Sequence, residues 1–272
     1  MPGILYVVAT PIGNLADASP RSLDTLRAAD VVACEDTRRT RTLLARHGIA
    51  ARTVAVHAHN ERAAGAKLLA ELRAGRNVAL VSDAGTPAVS DPGAWLVAAA
   101  HREGLRVVPV PGPSAAVAAF SAAGFAAGGF LFAGFLAPEA GALEALEGPW
   151  PVVLYEAPHR VAQTVAALLG RFGAEREIVI ARELTKKFEE VARMPLGQAP
   201  AWLAAHAHRR QGEFVLVLAP AAPAAPARAR DAERLLALLL EALPASDAAR
   251  IAARISGVPR RDLYRAALKH AK

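Results

Sequence analysis

The stretch "VALVSDAGTPAVSDPGAW", residues 78 to 95, places a short apolar run directly against a loop of small and polar residues. The run from Val78 to Val81 does not alternate between apolar and polar side chains, which predicts a strand covered on both faces, as in a parallel sheet. In open parallel sheets, ligands bind beyond the carboxyl ends of the strands. Asp83 therefore stands where a ligand is expected.

Strand and helix patterns alternate along most of the chain. Apolar runs at 4–9, 30–34, 53–56, 78–82 and 105–110 alternate with helical patterns near 20–28, 39–47, 61–74 and 93–103. A second series has strands predicted at 130–135, 151–155, 177–182 and 213–218, with helices around 114–122, 158–170 and 198–209. This alternation predicts an α/β fold. We expect two α/β domains, 1–112 and 113–219, with mostly parallel or mixed sheets that form a cleft.

The C-terminal region differs from the rest in composition. Prolines spaced by three residues predict an extended linker at 220–230, followed by a helical appendage at 231–272. The last two of its three helical patterns resemble a helix-turn-helix. Residues 221–272 carry ten Lys or Arg against five acids, in a chain of net charge +7. This bias indicates a polyanionic partner, with nucleic acid as the first candidate and a solvated basic surface as the alternative.

Several classes of protein are disfavoured by the composition. The single cysteine, Cys34, excludes a disulfide framework and a multi-thiolate metal site, and it fits a reducing, cytoplasmic location. His57 and His59 have the spacing of a metal pair, but no third ligand is apparent near them, so we predict no metal. Residues 107–138 lack charge over a length that could span a bilayer, yet prolines and glycines divide them. We therefore predict no membrane contact.

Three predicted strands end in loops of one style, "ATPIGN" (9–14), "SDAGTP" (82–87) and "PGPS" (111–114). None matches the glycine pattern of a dinucleotide-binding turn or of a P-loop. Together they offer small side chains, free backbone N–H groups and one carboxylate, which suits a flat cationic ligand such as S-adenosylmethionine. The alternative is that glycine and proline simply make tight turns between strands and helices.

A polar cluster follows the second predicted strand. "CEDTRRT", residues 34 to 40, places Glu35, Asp36 and Arg38 where that strand ends. Acids beside arginine often mark only the start of a helix, with Asp36 or Thr37 as the cap. Their location at the carboxyl end of a strand favours a functional role as well.

With these motifs, the sequence resembles a family of bacterial small-subunit rRNA cytidine-2′-O-methyltransferases in the tetrapyrrole-methylase superfamily. The resemblance runs over nearly the whole chain. It rests on "LYVVATPIGNLAD" (5–17), "ACEDTRRT" (33–40), "HAHNE" (57–61), "VSDAGTPAVSDPG" (81–93), "VVPVPGPSAA" (107–116), "YEAPHR" (155–160), "ARELTKKFEE" (181–190) and "GEFVLVL" (212–218).

The resemblance implies a homodimer whose subunits each bind S-adenosylmethionine in the cleft between two domains. It also implies methylation of a cytidine ribose in the decoding region of small-subunit (16S) rRNA, in an assembled or nearly assembled subunit. The residues implied for the cofactor pocket are Pro11, Ser82, Asp83, Ala84, Gly85, Pro87, Ser114, Ala115 and Tyr155. Those implied to face the nucleotide are Glu35, Asp36, Arg38, Arg182 and Lys186. The C-terminal helices are implied to assist RNA binding, and Arg260 and Arg261 are our candidates there.

Two departures reduce the expected RNA surface. Where relatives carry a basic loop, this chain has "GFLAPEAGALEALEG" at 134–148, with acids at 139, 144 and 147. Gln211 replaces a lysine that relatives tend to have before "GE". The basic C-terminal region could compensate for both losses.

Methyl transfer from a sulfonium is an in-line displacement, so alignment of the reactants supplies much of the rate. The ribose hydroxyl is a poor acid, and a base beside it would help. We therefore predict Glu35 and Asp36 as catalytic residues, with Arg38 and Lys186 on phosphates. A small-molecule methyltransferase of tetrapyrrole type and a non-catalytic RNA-binding assembly protein are the rivals. The basic tail argues against the first rival, and the intact loops argue against the second.

Overall fold

The structure, a computed structural model, describes residues 1–126, 128–136, 141–221 and 225–270. The chain divides into two compact units. The first comprises Met1–Leu146 and Trp150–Ala219, and the second comprises Glu147–Pro149 and Pro220–Lys272. The predicted boundary at residue 112 falls inside the first unit, so the division into two α/β domains stays a prediction.

The first sheet of the first unit is entirely parallel. Its strands are β1 (Ile4–Val8), β2 (Val31–Cys34), β3 (Arg52–Ala55), β4 (Val78–Leu80) and β5 (Arg106–Val110), in the order β3-β2-β4-β1-β5. All three residues of β4 are buried at the centre of this sheet. The prediction of a parallel strand covered on both faces is confirmed.

Helices cover both faces of the first sheet. They are α1 (Pro20–Ala28), α2 (Thr37–Arg46), α3 (Glu61–Arg73) and α4 (Ala94–Arg102). Successive residues of β2 belong to different apolar clusters. Val31 packs with Leu68 of α3, whereas Val32 packs with Leu26 of α1. This is the period of two that places successive strand side chains on opposite faces.

The second sheet is mixed. Its strands are β6 (Leu131–Phe135), β7 (Val152–Glu156), β8 (Glu177–Arg182), β9 (Glu190–Pro195) and β10 (Phe214–Leu218), in the order β6-β7-β10-β8-β9. β6 and β7 are parallel and the other pairs are antiparallel. Helices α5 (Ala115–Ala123), α6 (Val161–Phe172) and α7 (Ala199–Ala205) accompany this sheet. The α/β class with parallel and mixed sheets is confirmed.

Strand β9 is the element that the sequence prediction lacks. Its sequence, EVARMP, keeps mostly exposed or half-buried side chains because it lies at the edge of the second sheet. Charged residues are common on such edges, where they discourage pairing with another chain. The helix predicted at 198–209 is also shorter in the structure: it ends at Ala205, and a separate 3-10 turn spans Ala207–Arg210.

The second unit consists of three helices, α8 (Ala225–Leu240), α9 (Ala245–Ser256) and α10 (Arg260–His270). They pack around a small core that includes Leu236, Ala249 and Leu263. Residues 225–230 of the predicted extended linker are therefore helical, because a proline is tolerated in a first helical turn. Residues 222–224 lie outside the described part of the chain. No helix in the described residues combines the length and the apolar character needed to cross a membrane.

Candidate active-site cleft

A cavity of about 410 Å³ lies within the first unit, between loops of the first sheet and residues of the second sheet. The loops after β2, β4 and β5 supply one wall and the ends of β6, β7 and β10 supply the other. Residues that line the cavity include Glu35, Arg39, Asp83, Ala84, Gly85, Asp91, Ser114, Ala115, Phe135, Tyr155, Leu184 and Glu213. Both sheets thus contribute to a single cleft.

The three small-residue loops are hydrogen-bonded to one another. Thr10 and Gly85 exchange two backbone hydrogen bonds, of 2.9 and 3.0 Å, and the Thr10 hydroxyl donates to the carbonyl of Ser82 at 3.1 Å. The Thr86 hydroxyl donates to the carbonyl of Pro113 at 3.1 Å, which joins the third loop. Gly85 has φ of 80°, a left-handed conformation that glycine adopts without steric cost. The loops therefore form one continuous wall.

The structure separates the predicted cofactor residues into two groups. Asp83, Ala84, Gly85, Ser114, Ala115 and Tyr155 line the cleft. Pro11, Ser82 and Pro87 are buried and are absent from its lining. The hydroxyl of Ser82 donates to the carbonyls of Ala84 and Gly85, at 3.2 and 3.3 Å. These three residues shape the loops, and direct contact between them and a cofactor stays a prediction.

Tyr155 connects the second sheet to the start of helix α5. Its hydroxyl accepts the N–H of Ala116 at 3.2 Å, and its ring meets Phe132 and Phe135 edge-on at 5.0 and 5.7 Å. Burial raises the pKa of the phenol, which keeps it protonated. Tyr155 thereby holds the first turn of the helix against the cleft wall.

We expect Tyr155→Phe to lower the free energy of unfolding by about 1 kcal/mol, because it leaves the Ala116 N–H without its partner. Urea unfolding measures the change. Tyr6→Phe is the matched control, since no hydrogen bond of the Tyr6 hydroxyl is found among the described residues. Equal stability of Tyr155→Phe and the wild type would show that the hydroxyl contributes nothing.

Five acidic residues line the cleft, and three of them, Glu35, Asp83 and Asp91, follow strands of the first sheet. Burial raises the pKa of Glu35, and the charges of Asp83 and Asp91 raise it further. Burial likewise raises the pKa of Asp91. The guanidinium of Arg39 lies 3.5 Å from Asp83. Such a site favours a cationic ligand and contains a carboxylate with increased affinity for a proton.

Asp36 has a different role from its neighbour Glu35. Its carboxylate caps helix α2 by accepting the N–H of Arg38 at 2.8 Å, and it also accepts the Arg38 guanidinium at 2.8 Å. These bonds lower its pKa to about 2, which makes it a weak base. Its own N–H donates to Asp83 at 2.9 Å. Asp36 is absent from the cleft lining, and its catalytic role stays a prediction.

The residues predicted to face RNA differ in exposure and in pairing. The Arg38 side chain is 88% exposed and paired with Asp36. Lys186 donates to Glu183 and Glu213 at 2.8 and 2.9 Å, and it keeps about a quarter of its side chain exposed. Arg182, in contrast, is buried at the end of β8.

The burial of Arg182 corrects its predicted role. Its guanidinium donates to the carbonyls of Phe188 at 3.0 Å and Gln211 at 3.3 Å. With 6% of its side chain exposed, it does not reach a phosphate in this arrangement. It instead joins two turns of the second sheet. Arg260 and Arg261 are both exposed, in the first turn of α10 in the second unit.

Sequence reasoning missed two charged residues that line the cleft and one that caps a helix. Arg39 and Asp91 line it, and Glu61 caps helix α4 by accepting the N–H groups of Gly93 at 2.8 Å and Trp95 at 3.1 Å. Arg39 and Asp91 lie in motifs that the sequence analysis had singled out, "EDTRR" and "SDPG", which was the available signal. Glu61 ends the quoted motif "HAHNE" (57–61), but its partners lie more than thirty residues away, so the motif gave no sign of its capping role.

The "HAHNE" motif is part of a turn. The Asn60 side chain accepts the N–H of His57 at 2.8 Å and donates to the carbonyl of Ala55 at 3.1 Å, which prepares the start of α3. Within the described ranges, no three His, Cys, Asp or Glu side chains form a group that could hold a metal.

Two protein families match this chain. The sequence profile described as "Tetrapyrrole (Corrin/Porphyrin) Methylases" matches residues 4–200, and that described as "RsmI C-terminal HTH domain" matches residues 226–271. Among curated relatives, "Ribosomal RNA small subunit methyltransferase I" of Escherichia coli O157:H7 is 45% identical over 98% of this chain and 95% of its own length. The protein of that name from Mesorhizobium japonicum is 50% identical over 97% and 91%.

Solved structures agree with these matches. A uroporphyrin-III-C-methyltransferase from Thermus thermophilus has a TM-score of 0.58 and 25% identity, over 80% of this chain and 94% of its own. A second structure, described as a uroporphyrin-III C-methyl transferase complexed with S-adenyl homocysteine, has a TM-score of 0.59, 18% identity and coverage of 80% and 97%. The second likeness concerns the fold alone.

Proposed function

Since this chain belongs to the tetrapyrrole methylase family, we propose that it transfers a methyl group from S-adenosylmethionine to the RNA of the small ribosomal subunit. The observation that carries the proposal is the acid-lined cleft, which three linked loops of small residues close on one side. Curated relatives at 42–50% identity over nearly the full length bear the name of a small-subunit rRNA methyltransferase.

The cleft residues fit the methyl donor in size and charge. A volume of about 410 Å³ lies within the usual range for small-molecule pockets. Asp83 and Asp91 bring negative charge to a site where a sulfonium would lie. The small side chains of Ala84, Gly85 and Ala115 leave room for a flat adenosine. When bound, S-adenosylmethionine supplies a methyl group on a positively charged sulfur, which the attacking oxygen takes as the thioether leaves.

Glu35 is the base that we assign to the reaction. It lines the cleft, and its raised pKa increases its affinity for the proton that the attacking hydroxyl must lose. Asp36 acts behind it, because its N–H holds Asp83 and its carboxylate begins helix α2. The finer elements of the proposal are a cytidine 2′-hydroxyl in the decoding region as acceptor, an assembled or nearly assembled subunit, a homodimer and a cytoplasmic location.

Two observations distinguish this proposal from its rivals. A methyltransferase for small tetrapyrroles has no need of the basic helical unit, which matches the C-terminal domain of the rRNA enzymes. A non-catalytic RNA-binding protein has no need of a partly buried carboxylate with a raised pKa in an open cleft.

The direct test follows labelled methyl groups from S-adenosylmethionine into small ribosomal subunits purified from a strain that lacks this enzyme. We expect label in the rRNA, and mass spectrometry of nuclease fragments maps the nucleotide. Resistance of the adjacent phosphodiester to alkali identifies a ribose 2′-O-methyl group. Label on a base would contradict the ribose assignment, and transfer to a tetrapyrrole alone would favour the small-molecule rival.

We expect the double substitution Arg260→Ala and Arg261→Ala to weaken binding of small subunits. Both side chains are exposed. The logarithm of the binding constant falls with the logarithm of salt concentration, and each phosphate contact that is lost makes this negative slope shallower by about 1. The slope is measured by filter binding between low and moderate salt. Arg27→Ala on α1, which removes an exposed arginine from the other unit, is the control. An unchanged slope with an altered mass in light scattering would instead assign these arginines to subunit packing.

A further inference from the structure

The turn between β8 and β9, residues 183–189, presents an exposed aromatic ring. Phe188 is 63% exposed, and the ammonium group of Lys187 lies 5.4 Å from the centre of its ring. Leu184 in the same turn lines the cleft. The exposed ring is therefore only four residues along the chain from the cleft wall.

This turn is held in a defined conformation. Glu183 and Thr185 both have left-handed backbone, with φ of 52° and 66°, which side chains other than glycine rarely adopt. Glu183 accepts the N–H of Glu213 at 2.9 Å, and Glu189 accepts the N–H of Thr185 at 2.5 Å. Strained backbone of this kind persists where the surroundings determine it, and it concentrates at functional sites.

A second, basic turn lies beside the first. The buried Arg182 donates to the carbonyls of both Phe188 and Gln211, so its guanidinium spans the two turns. Arg209 adds another link by donating to Glu190 at 2.8 Å. Residues 206–211 and residues 187–188 therefore form one surface, which we call the double-turn surface.

The double-turn surface leaves cations available for a ligand. Of the acids next to this surface, Glu190 binds Arg209 and Glu183 binds Lys186. Glu189 is exposed and accepts the N–H of Thr185, so it leaves one negative charge next to the ring. In the described parts of the chain, neither Lys187 nor Arg210 forms an ion pair, and both are exposed. An exposed ring beside one unpaired cation, with a second unpaired cation on the adjoining turn, is an arrangement that can stack an unpaired base and contact its phosphates.

We propose that Phe188 stacks an unpaired base next to the nucleotide whose ribose enters the cleft, while Lys187 and Arg210 contact the flanking phosphates. This inference rests on the proposed function, and it adds the position of the neighbouring nucleotide. Arg182 is then a positioning residue, because it aligns the aromatic turn with the basic one. The unpaired cations on the two turns favour a polyanionic single strand over a protein partner.

The test compares Phe188→Ala, Phe188→Leu and Phe188→Trp for binding to a short oligocytidine and to unmethylated small subunits. We expect roughly tenfold weaker binding of both probes by the alanine and leucine variants, and retention by tryptophan, since stacking needs a π face. Leucine distinguishes stacking from simple apolar burial. Val117→Ala on α5 removes another exposed apolar side chain and serves as the control.

Salt dependence separates the ring from its cations. Lys187→Ala and Arg210→Ala should each make the negative slope of log K against log salt shallower by about 1. Phe188→Ala should leave this slope unchanged. Affinity for S-adenosylmethionine and the midpoint of thermal unfolding should not change in the Phe188 variants.

Three results would overturn the inference. If Phe188→Ala binds RNA with wild-type affinity and the unsubstituted protein methylates subunits, stacking on Phe188 is excluded and the proposed function stands. Loss of the oligomeric mass in Phe188→Ala would instead make the ring a contact between copies of the chain. An unsubstituted protein that neither binds nor methylates small subunits would remove the proposed function together with this inference.

Discussion

Replacing Glu35 by glutamine is expected to lower kcat for methyl transfer by about 10²- to 10⁴-fold, the usual contribution of a positioned base. Glutamine keeps the shape of the side chain but cannot take the proton from the attacking hydroxyl. Affinity for S-adenosylmethionine should change little, because Asp83 and Asp91 remain in the cleft. Single-turnover transfer to unmethylated small subunits measures the rate, and calorimetry measures the affinity.

The fall of the methyl-transfer rate at acid pH should report the protonation of Glu35. Burial and two neighbouring carboxylates raise the pKa of Glu35, and its active form is the ionised one. As the pH falls through this raised pKa, the carboxylate is protonated and the rate declines. The decline therefore begins at a higher pH than for an ordinary glutamate, whose pKa is about 4.3. Glu35→Gln should lack this decline.

Asp36→Asn is the matched control for Glu35→Gln, since the two acids are adjacent in the sequence. Asparagine still caps a helix, and Asp36 is absent from the cleft lining, so we expect kcat near that of the wild type. A full rate in Glu35→Gln together with a large loss in Asp36→Asn would reverse the roles that we assign.

Replacing Asp83 by asparagine is expected to weaken binding of S-adenosylmethionine about 10- to 100-fold, the range for loss of one charged partner in a partly buried site. Asp83 lines the cleft with one fifth of its side chain exposed. Asparagine can still accept the N–H of Asp36, so the fold should persist. Calorimetry on the folded variant gives the affinity.

Asp83→Asn also has a second expected effect that follows from its position. Its charge is one of the causes that raise the pKa of Glu35, so neutralising it should move the acid limb of the rate profile to lower pH. Asp24→Asn on α1 removes an exposed acid remote from the cleft and is the control. Wild-type affinity in a folded Asp83→Asn protein would exclude Asp83 from the ligand site.

The sequence alone determined the fold class and the location of the cleft. Strand periodicity and buried apolar runs are local properties, so β4 and the alternation of strands and helices were predicted correctly. The small-residue loops after the parallel strands predicted the cleft for the same reason. Strand β9 escaped prediction because, at the edge of a sheet, its side chains need not follow an apolar pattern.

Only the tertiary structure decided the role of each polar side chain. Glu35 and Asp36 look alike in the sequence, yet one lines the cleft and the other caps a helix. Arg182 looked like an RNA contact until Gln211, 29 residues away, proved to be its partner. Exposure and pKa depend on groups that are distant in the chain, such as Asp83, which lies 47 residues from Asp36. A local pattern carries no information about such partners, because folding alone brings them together.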